Sequence, residues 1–136
     1  RLRVYWMGKD SLFPPLVGGV MRWLGGIPVN RARSGNLVQA TVDAYNSNAR
    51  LIVIVPPEGT RSKVTQWKTG FYYIAQGAGV PIALGYLDFR KKEAGLSRMF
   101  QPSGDIAADM VEIQAFYAGI TGKNPGKFDG GTAPEK

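Results

Sequence analysis

Histidine and cysteine are both missing from this chain, and each absence removes a class of chemistry. Without cysteine there is no disulfide framework and no thiol nucleophile, a composition that fits a reducing compartment. Without histidine no Ser-His-Asp or Cys-His pair can form within these residues, and a zinc site would have to be built from oxygen alone, which zinc disfavours. No apolar run approaches the roughly 18 residues that a membrane-spanning helix needs, and no signal peptide is visible. No G-x-G-x-x-G follows a strand, and Gly122-Lys123 lacks the glycine pattern that precedes the lysine of a Walker loop. There is no internal repeat. The chain opens without Met on Arg1-Leu2-Arg3-Val4-Tyr5-Trp6, as if cut into a strand.

The sequence has 136 residues, of which 44% are hydrophobic, and carries a formal charge of +7. That length allows one domain with a real core, and the composition argues against disorder. Acidic residues are scarce where basic ones are dense. Residues 1–68 hold ten Lys/Arg against three acids, whereas residues 69–136 hold seven of each. The basic bias therefore lies wholly in the first half. It is either a solvated basic face or the footprint of an anionic partner: a phosphorylated small molecule, an anionic lipid surface or nucleic acid. The aromatic residues fall in core patterns and not beside the cations, which speaks against nucleic acid.

Short β-branched or aromatic runs alternate with helical patterns. Strands are expected at 4–7, 27–29, 51–55 and 80–87, with Pro28 placing the second at a sheet edge. Helices are expected from the Pro14-Pro15 pair to Gly25-Gly26, from Ser34 as an N-cap to about Ser47, from Phe71 to Gln76, and over 105–117 with Asp105 as N-cap. Trp6, Phe13, Trp23 and Leu24 read as core, with a surface for lipid or an acyl chain as the alternative. Asp88 to Leu96 reads as a charged turn, and Met99 to Pro102 as a short edge strand. The fold class is α/β, a mainly parallel or mixed central sheet flanked by helices. Residues 1–120 are expected to form this domain and 121–136 a flexible C-terminal tail.

One stretch concentrates the chemistry. Strand 51–55 is stopped by Pro56-Pro57 and followed by Glu58-Gly59-Thr60-Arg61-Ser62. Loops at the ends of parallel strands are where α/β proteins build sites. Glycine admits close backbone approach, and arginine offers a forked donor suited to phosphate. The segment reads as an anion cradle holding one carboxylate, Glu58. The plainer reading is a strand-to-helix turn capped by Thr60 or Ser62. Lys9, Arg31, Arg33, Arg61, Lys63 and Lys68 all follow a strand or precede a helix, so several could converge on one anion.

Pro57-Glu58-Gly59-Thr60-Arg61-Ser62 resembles the signature of glycerolipid acyltransferases of the lysophosphatidic acid acyltransferase type. Gly26-Ile27-Pro28-Val29-Asn30-Arg31 is similar to that family's second block. Lys68-Thr69-Gly70 before a helix matches its lysine-glycine step, and Val80-Pro81-Ile82 resembles its fourth block, with Gly85 where a proline often stands nearby. The likeness covers about residues 3 to 90. It implies acyl transfer from an acyl thioester, either acyl-CoA or acyl carrier protein, to a hydroxyl of a phosphorylated glycerol acceptor. It also implies that Arg31, Glu58, Gly59, Thr60, Arg61 and Lys68 are the substrate-binding residues. It implies no metal or other cofactor, no nucleic acid, and a workplace at the membrane surface on the cytoplasmic side, within phospholipid biosynthesis. The family's catalytic block, a histidine, four residues and an aspartate, precedes the second block. With no histidine here, Asp10 has no such partner, so no catalytic residue is expected in this chain. The block is expected upstream, or else the protein is a non-catalytic phosphate- or lipid-binding module of the same fold.

Overall fold

β1 (Arg3–Lys9) is paired on both sides. β2 (Gly26–Val29) and β3 (Leu51–Ile54) both run parallel to it, giving the order β2-β1-β3. The computed structural model of the chain describes residues 3–29, 34–58 and 67–124. These fall into two compact units that divide between Pro56 and Pro57.

In the first unit the edge position expected from Pro28 is observed, since β2 is an outer strand and Pro28 sits opposite Gly8. An edge strand tolerates a residue with no N–H to donate. The crossover from β1 passes through a 3-10 turn (Asp10–Leu12) and helix α1 (Gly18–Trp23). The helix is shorter than the apolar spacing suggests. Pro14 and Pro15 lie in the turn ahead of it, and the Pro14 carbonyl accepts from the amides of Val17 (3.1 Å) and Gly18 (2.6 Å). Two glycines let the crossover pack closely: a Cβ on Gly18 would lie 2.8 Å from the Phe13 carbonyl oxygen, and one on Gly26 would lie 2.7 Å from that of Met21. Gly25, at φ 84°, turns the chain out of the helix. Phe13 is buried and stacks on Trp6 at 5.9 Å, while the Trp6 indole donates to the Leu24 carbonyl. Helix α2 (Ser34–Asn46) returns the chain to β3, burying Thr41 and Val42. The Val53 amide donates to the Tyr45 hydroxyl. Ile52 and Ile54 of β3 are exposed.

In the second unit, helix α3 (Gly70–Ala78) runs through Gly77 and ends at Gly79, whose φ of 64° suits glycine. β4 (Ile82–Asp88) pairs antiparallel with β5 (Glu93–Phe100). The expectation that 51–55 and 80–87 share one sheet is not met among the described residues: β3 pairs with β1, and β4 with β5. The charged turn is confined to 89–92. Asp88 fixes it by accepting from the amides of Arg90 and Lys91, and Lys92 takes the left-handed conformation. Helix α4 (Ile106–Tyr117) begins as expected, with Asp105 accepting from the amides of Ala107 and Ala108. Trp67, Leu84, Phe100, Met110 and Ile113 form the core, with Ile106, Phe116 and Tyr117 packed against it. The Phe89 amide donates to the Thr121 carbonyl, so the chain is still tied to the hairpin at the first residue of the expected tail.

A buried polar knot joins α3 to α4. Asp109 accepts from the Tyr72 hydroxyl (2.7 Å), the Ser103 amide (2.7 Å) and the Ser103 hydroxyl (2.8 Å), and the Tyr72 hydroxyl accepts from the Gly104 amide. Burial pushes the Asp109 carboxyl up, but its three donors outweigh that and hold it below the ordinary carboxylate value. A carboxyl whose folded pKa is depressed adds stability above its unfolded pKa, and that stability is lost as pH falls through the folded value. Tyr72→Phe is therefore expected to cost about 1–3 kcal/mol at neutral pH by orphaning the Gly104 amide and one carboxylate lone pair. Asp109→Ala should cost more, because it strands donors from both Tyr72 and Ser103. The gap between Asp109→Ala and wild type should narrow below about pH 4. Urea unfolding at neutral and acid pH measures both effects; a gap that does not change with pH would contradict the assignment.

Candidate functional site

All three strands of the first sheet are parallel, so their C-terminal ends share one edge. Lys9, the last residue of β1, pairs with Val29, the last of β2, and Trp6 pairs with Ile54, the last of β3. The chain therefore leaves the sheet toward Asn30-Arg31 and toward Pro56-Pro57 from the same side. This is the edge at which α/β proteins place ligand-binding loops.

In the second unit, the segment that begins with Pro57-Glu58 closes on itself. The Lys68 amide donates to the Pro57 carbonyl at 2.8 Å, so the chain departs and returns at one hydrogen bond. The neighbouring residue makes this closure firm. Trp67 is buried in the core and meets the Tyr117 ring edge-on at 5.3 Å. The Tyr117 hydroxyl in turn donates to the Gly85 carbonyl at 2.9 Å, anchoring α4 to β4. Residue patterns alone do not single out Trp67. The available signal is a large aromatic set between Gln66 and Lys68, directly before the Thr69-Gly70 step.

Of the residues expected to bind substrate, Glu58 and Lys68 lie at the two ends of this closed segment. Glu58 is half-buried in the turn after Pro57, and Lys68 is exposed. Arg31, Gly59, Thr60 and Arg61 lie outside the described residues, as do Arg33 and Lys63. Helix α3 starts at Gly70, two residues beyond Lys68, as the lysine-glycine step implies. Its first turn carries no acidic residue, and its opening amides include that of Tyr72, turned back to the Thr69 carbonyl. A cation next to the positive end of a helix favours negative charge there. Among the described residues, no atom lies within 4 Å of where a Cβ on Gly70 would project.

The described ends of the segment offer one exposed cation, Lys68, and one half-buried carboxylate, Glu58. The whole sequence has no imidazole or thiol, and Glu58 is the one carboxylate between Pro56 and Gly70. Among the described residues, no group of three or more metal-ligating side chains comes together, and no helix is long and apolar enough to cross a membrane.

Residues 1–83 match the family model described as Acyltransferase. The match runs from β1 through the closed segment and α3 to the start of β4 and takes in most of the chain. Comparison with curated proteins returned no match, and comparison with solved structures returned none. With more than half of its length in that match, and with the Glu58 and Lys68 ends of the signature segment brought together in the fold, the chain belongs to the Acyltransferase family.

Proposed function

We propose that the chain serves acyl transfer from an acyl thioester, acyl-CoA or acyl carrier protein, to a hydroxyl of a glycerophosphate-type lysophospholipid. The observation that carries this reading is the closed segment between Pro57 and Lys68. It contains Glu58-Gly59-Thr60-Arg61-Ser62, and it belongs to a chain of the Acyltransferase family. In the reaction, a base takes the proton of the acceptor hydroxyl and the oxygen attacks the thioester carbonyl carbon. The carbon–sulfur bond then breaks, and the departing thiolate is protonated. This chain's residues supply recognition. Arg31 and Arg61 grip the acceptor phosphate as charge-assisted forks, and Lys68 adds a point charge. Gly59 and Thr60 give close backbone and hydroxyl contacts, and Glu58 steadies the loop. The base is a histidine oriented by an aspartate, and it is not among these 136 residues.

That absence favours a second reading, a phosphate- or lipid-binding module that keeps the cradle without the chemistry. The two readings part on a thioester-release assay. The 136-residue chain should bind glycerol phosphate or lysophosphatidate weakly and in a salt-sensitive way, and release no thiol from acyl-CoA. A form carrying a His-x4-Asp block ahead of residue 1 should turn over. Robust thiol release by the histidine-free chain would overturn the mechanism, and an inactive histidine-bearing form would favour the module.

In the histidine-bearing form, Arg61→Ala is expected to lower kcat/KM by roughly ten- to a hundredfold, the effect of removing one charge-assisted grip on the phosphate. Arg61→Lys should recover only part of this, because lysine has no planar fork. A grip equal in ground and transition states places the loss mainly in KM. Steady-state kinetics on the three proteins check this, and unchanged kinetics for Arg61→Ala would reduce the arginine to a surface charge.

A further inference from the structure

The tip of the β4–β5 hairpin and the end of α4 border an open cleft of about 350 Å³. Its walls include Tyr86 and Asp88 of β4, Lys91 of the turn, Glu93 of β5 and Phe116 of α4. All of these residues belong to the second unit and lie beyond residue 83, outside the family match. The volume falls within the range of small-ligand sites.

The charges in this cleft are placed at a cost to the fold. Asp88 and Glu93 stand directly opposite each other in the antiparallel register, and like charges so paired are destabilising. The Asp88 side chain is only 2% exposed. Its Oδ1 atom accepts from the amides of Arg90 (3.0 Å) and Lys91 (3.1 Å). Among the described residues Oδ2 has no hydrogen-bond donor. Its ion-pair partner, the Lys91 ammonium, stands 3.9 Å away on a side chain that is 57% exposed. A charge-assisted bond closes to roughly 2.7–2.9 Å, so the lysine screens this oxygen without satisfying it. The Lys91 amide, joined by that of Arg90, holds the carboxyl below its ordinary value against the effect of burial, and Asp88 is anionic near neutral pH.

The rest of the wall distinguishes among occupants. Tyr86 and Phe116 meet edge to face, with centroids 5.9 Å apart, and aromatic rings attract organic cations. A divalent metal would need more oxygen ligands than two carboxylates, and no group of three or more metal-ligating side chains comes together among the described residues. An anion would meet two carboxylates and a single lysine that is already paired. A small ammonium ion satisfies the buried oxygen, relieves the repulsion between Asp88 and Glu93, and lies against the rings.

We propose that this cleft binds a small organic ammonium ion, with Asp88 and Glu93 as its counter-charges, Tyr86 and Phe116 as its aromatic wall, and Lys91 as a tethered competitor. The test reads binding alone and needs no acyl transfer. The full chain is titrated by amide NMR with choline and with its uncharged dimethylbutanol isostere. Choline is expected to bind saturably, shifting amides around the cleft, and the isostere to bind about tenfold more weakly. Glu93→Gln, at an exposed position, and Tyr86→Leu should each weaken choline by about three- to tenfold. Lys91→Met should tighten it by about threefold, because the internal cation is gone. Glycerophosphocholine run beside choline separates the sources of the ammonium: weaker binding marks a free amine, and equal or tighter binding a phosphodiester headgroup. Four results would each overturn the proposal: no saturable binding of choline, equal affinity for the isostere, unchanged affinity in a folded Glu93→Gln, or inorganic phosphate binding that Lys91→Met abolishes.

Discussion

β1 is hydrogen-bonded in parallel to a strand on each side, and that constraint fixes where the basic segments leave the sheet. Parallel neighbours need long crossovers. Here the crossovers are the α1 region and α2, and each returns the chain so that β2 and β3 end on the edge where β1 ends. Had either neighbour been antiparallel, the segments leading to Arg31 and to Pro57 would have left from opposite edges. The second constraint is the Lys68-to-Pro57 bond, reinforced by Trp67 in the core. It returns the chain to its starting point before α3 begins, so Glu58 and Lys68 bracket the signature from two anchored ends.

Much of this is legible from residue types acting locally. Pro28 marks an edge because its ring removes a ladder donor, Asp105 caps α4 by accepting from the amides ahead of it, and Gly79 ends α3 through a positive φ. The signature segment stands out because it gathers glycine, hydroxyls and arginine, each suited to meeting an anion, directly after a strand. What stays hidden is non-local. The Tyr72–Asp109 bond joins residues 37 apart in sequence, and no local pattern announces it. β5 starts at Glu93 and not near Met99, because its pairing with β4 outweighs its charged, glycine-containing sequence. Gly95 fits there beneath the Tyr86 ring, where a Cβ would come within 3.1 Å.

The sharpest difference concerns α1. Periodicity reveals that a helix has an apolar side but not which way that side points. Phe13 is buried with the half-buried Trp6 stacked on it, whereas Trp23 and Leu24 are exposed. The direction is set by Gly18, which lets the helix backbone press on Phe13 and so turns the bulky residues away.

The central claim is that Arg61 and its neighbours recognise the acceptor through its phosphate. Competition between acceptors measures this most directly. In a histidine-bearing form of the protein, acyl transfer to lysophosphatidate is compared with transfer to the matching monoacylglycerol, which lacks the phosphate, for wild type and Arg61→Ala. The account predicts a strong wild-type preference for the phosphorylated acceptor that collapses in Arg61→Ala, with transfer to monoacylglycerol little changed. An equal loss on both acceptors, with the preference intact, would contradict it.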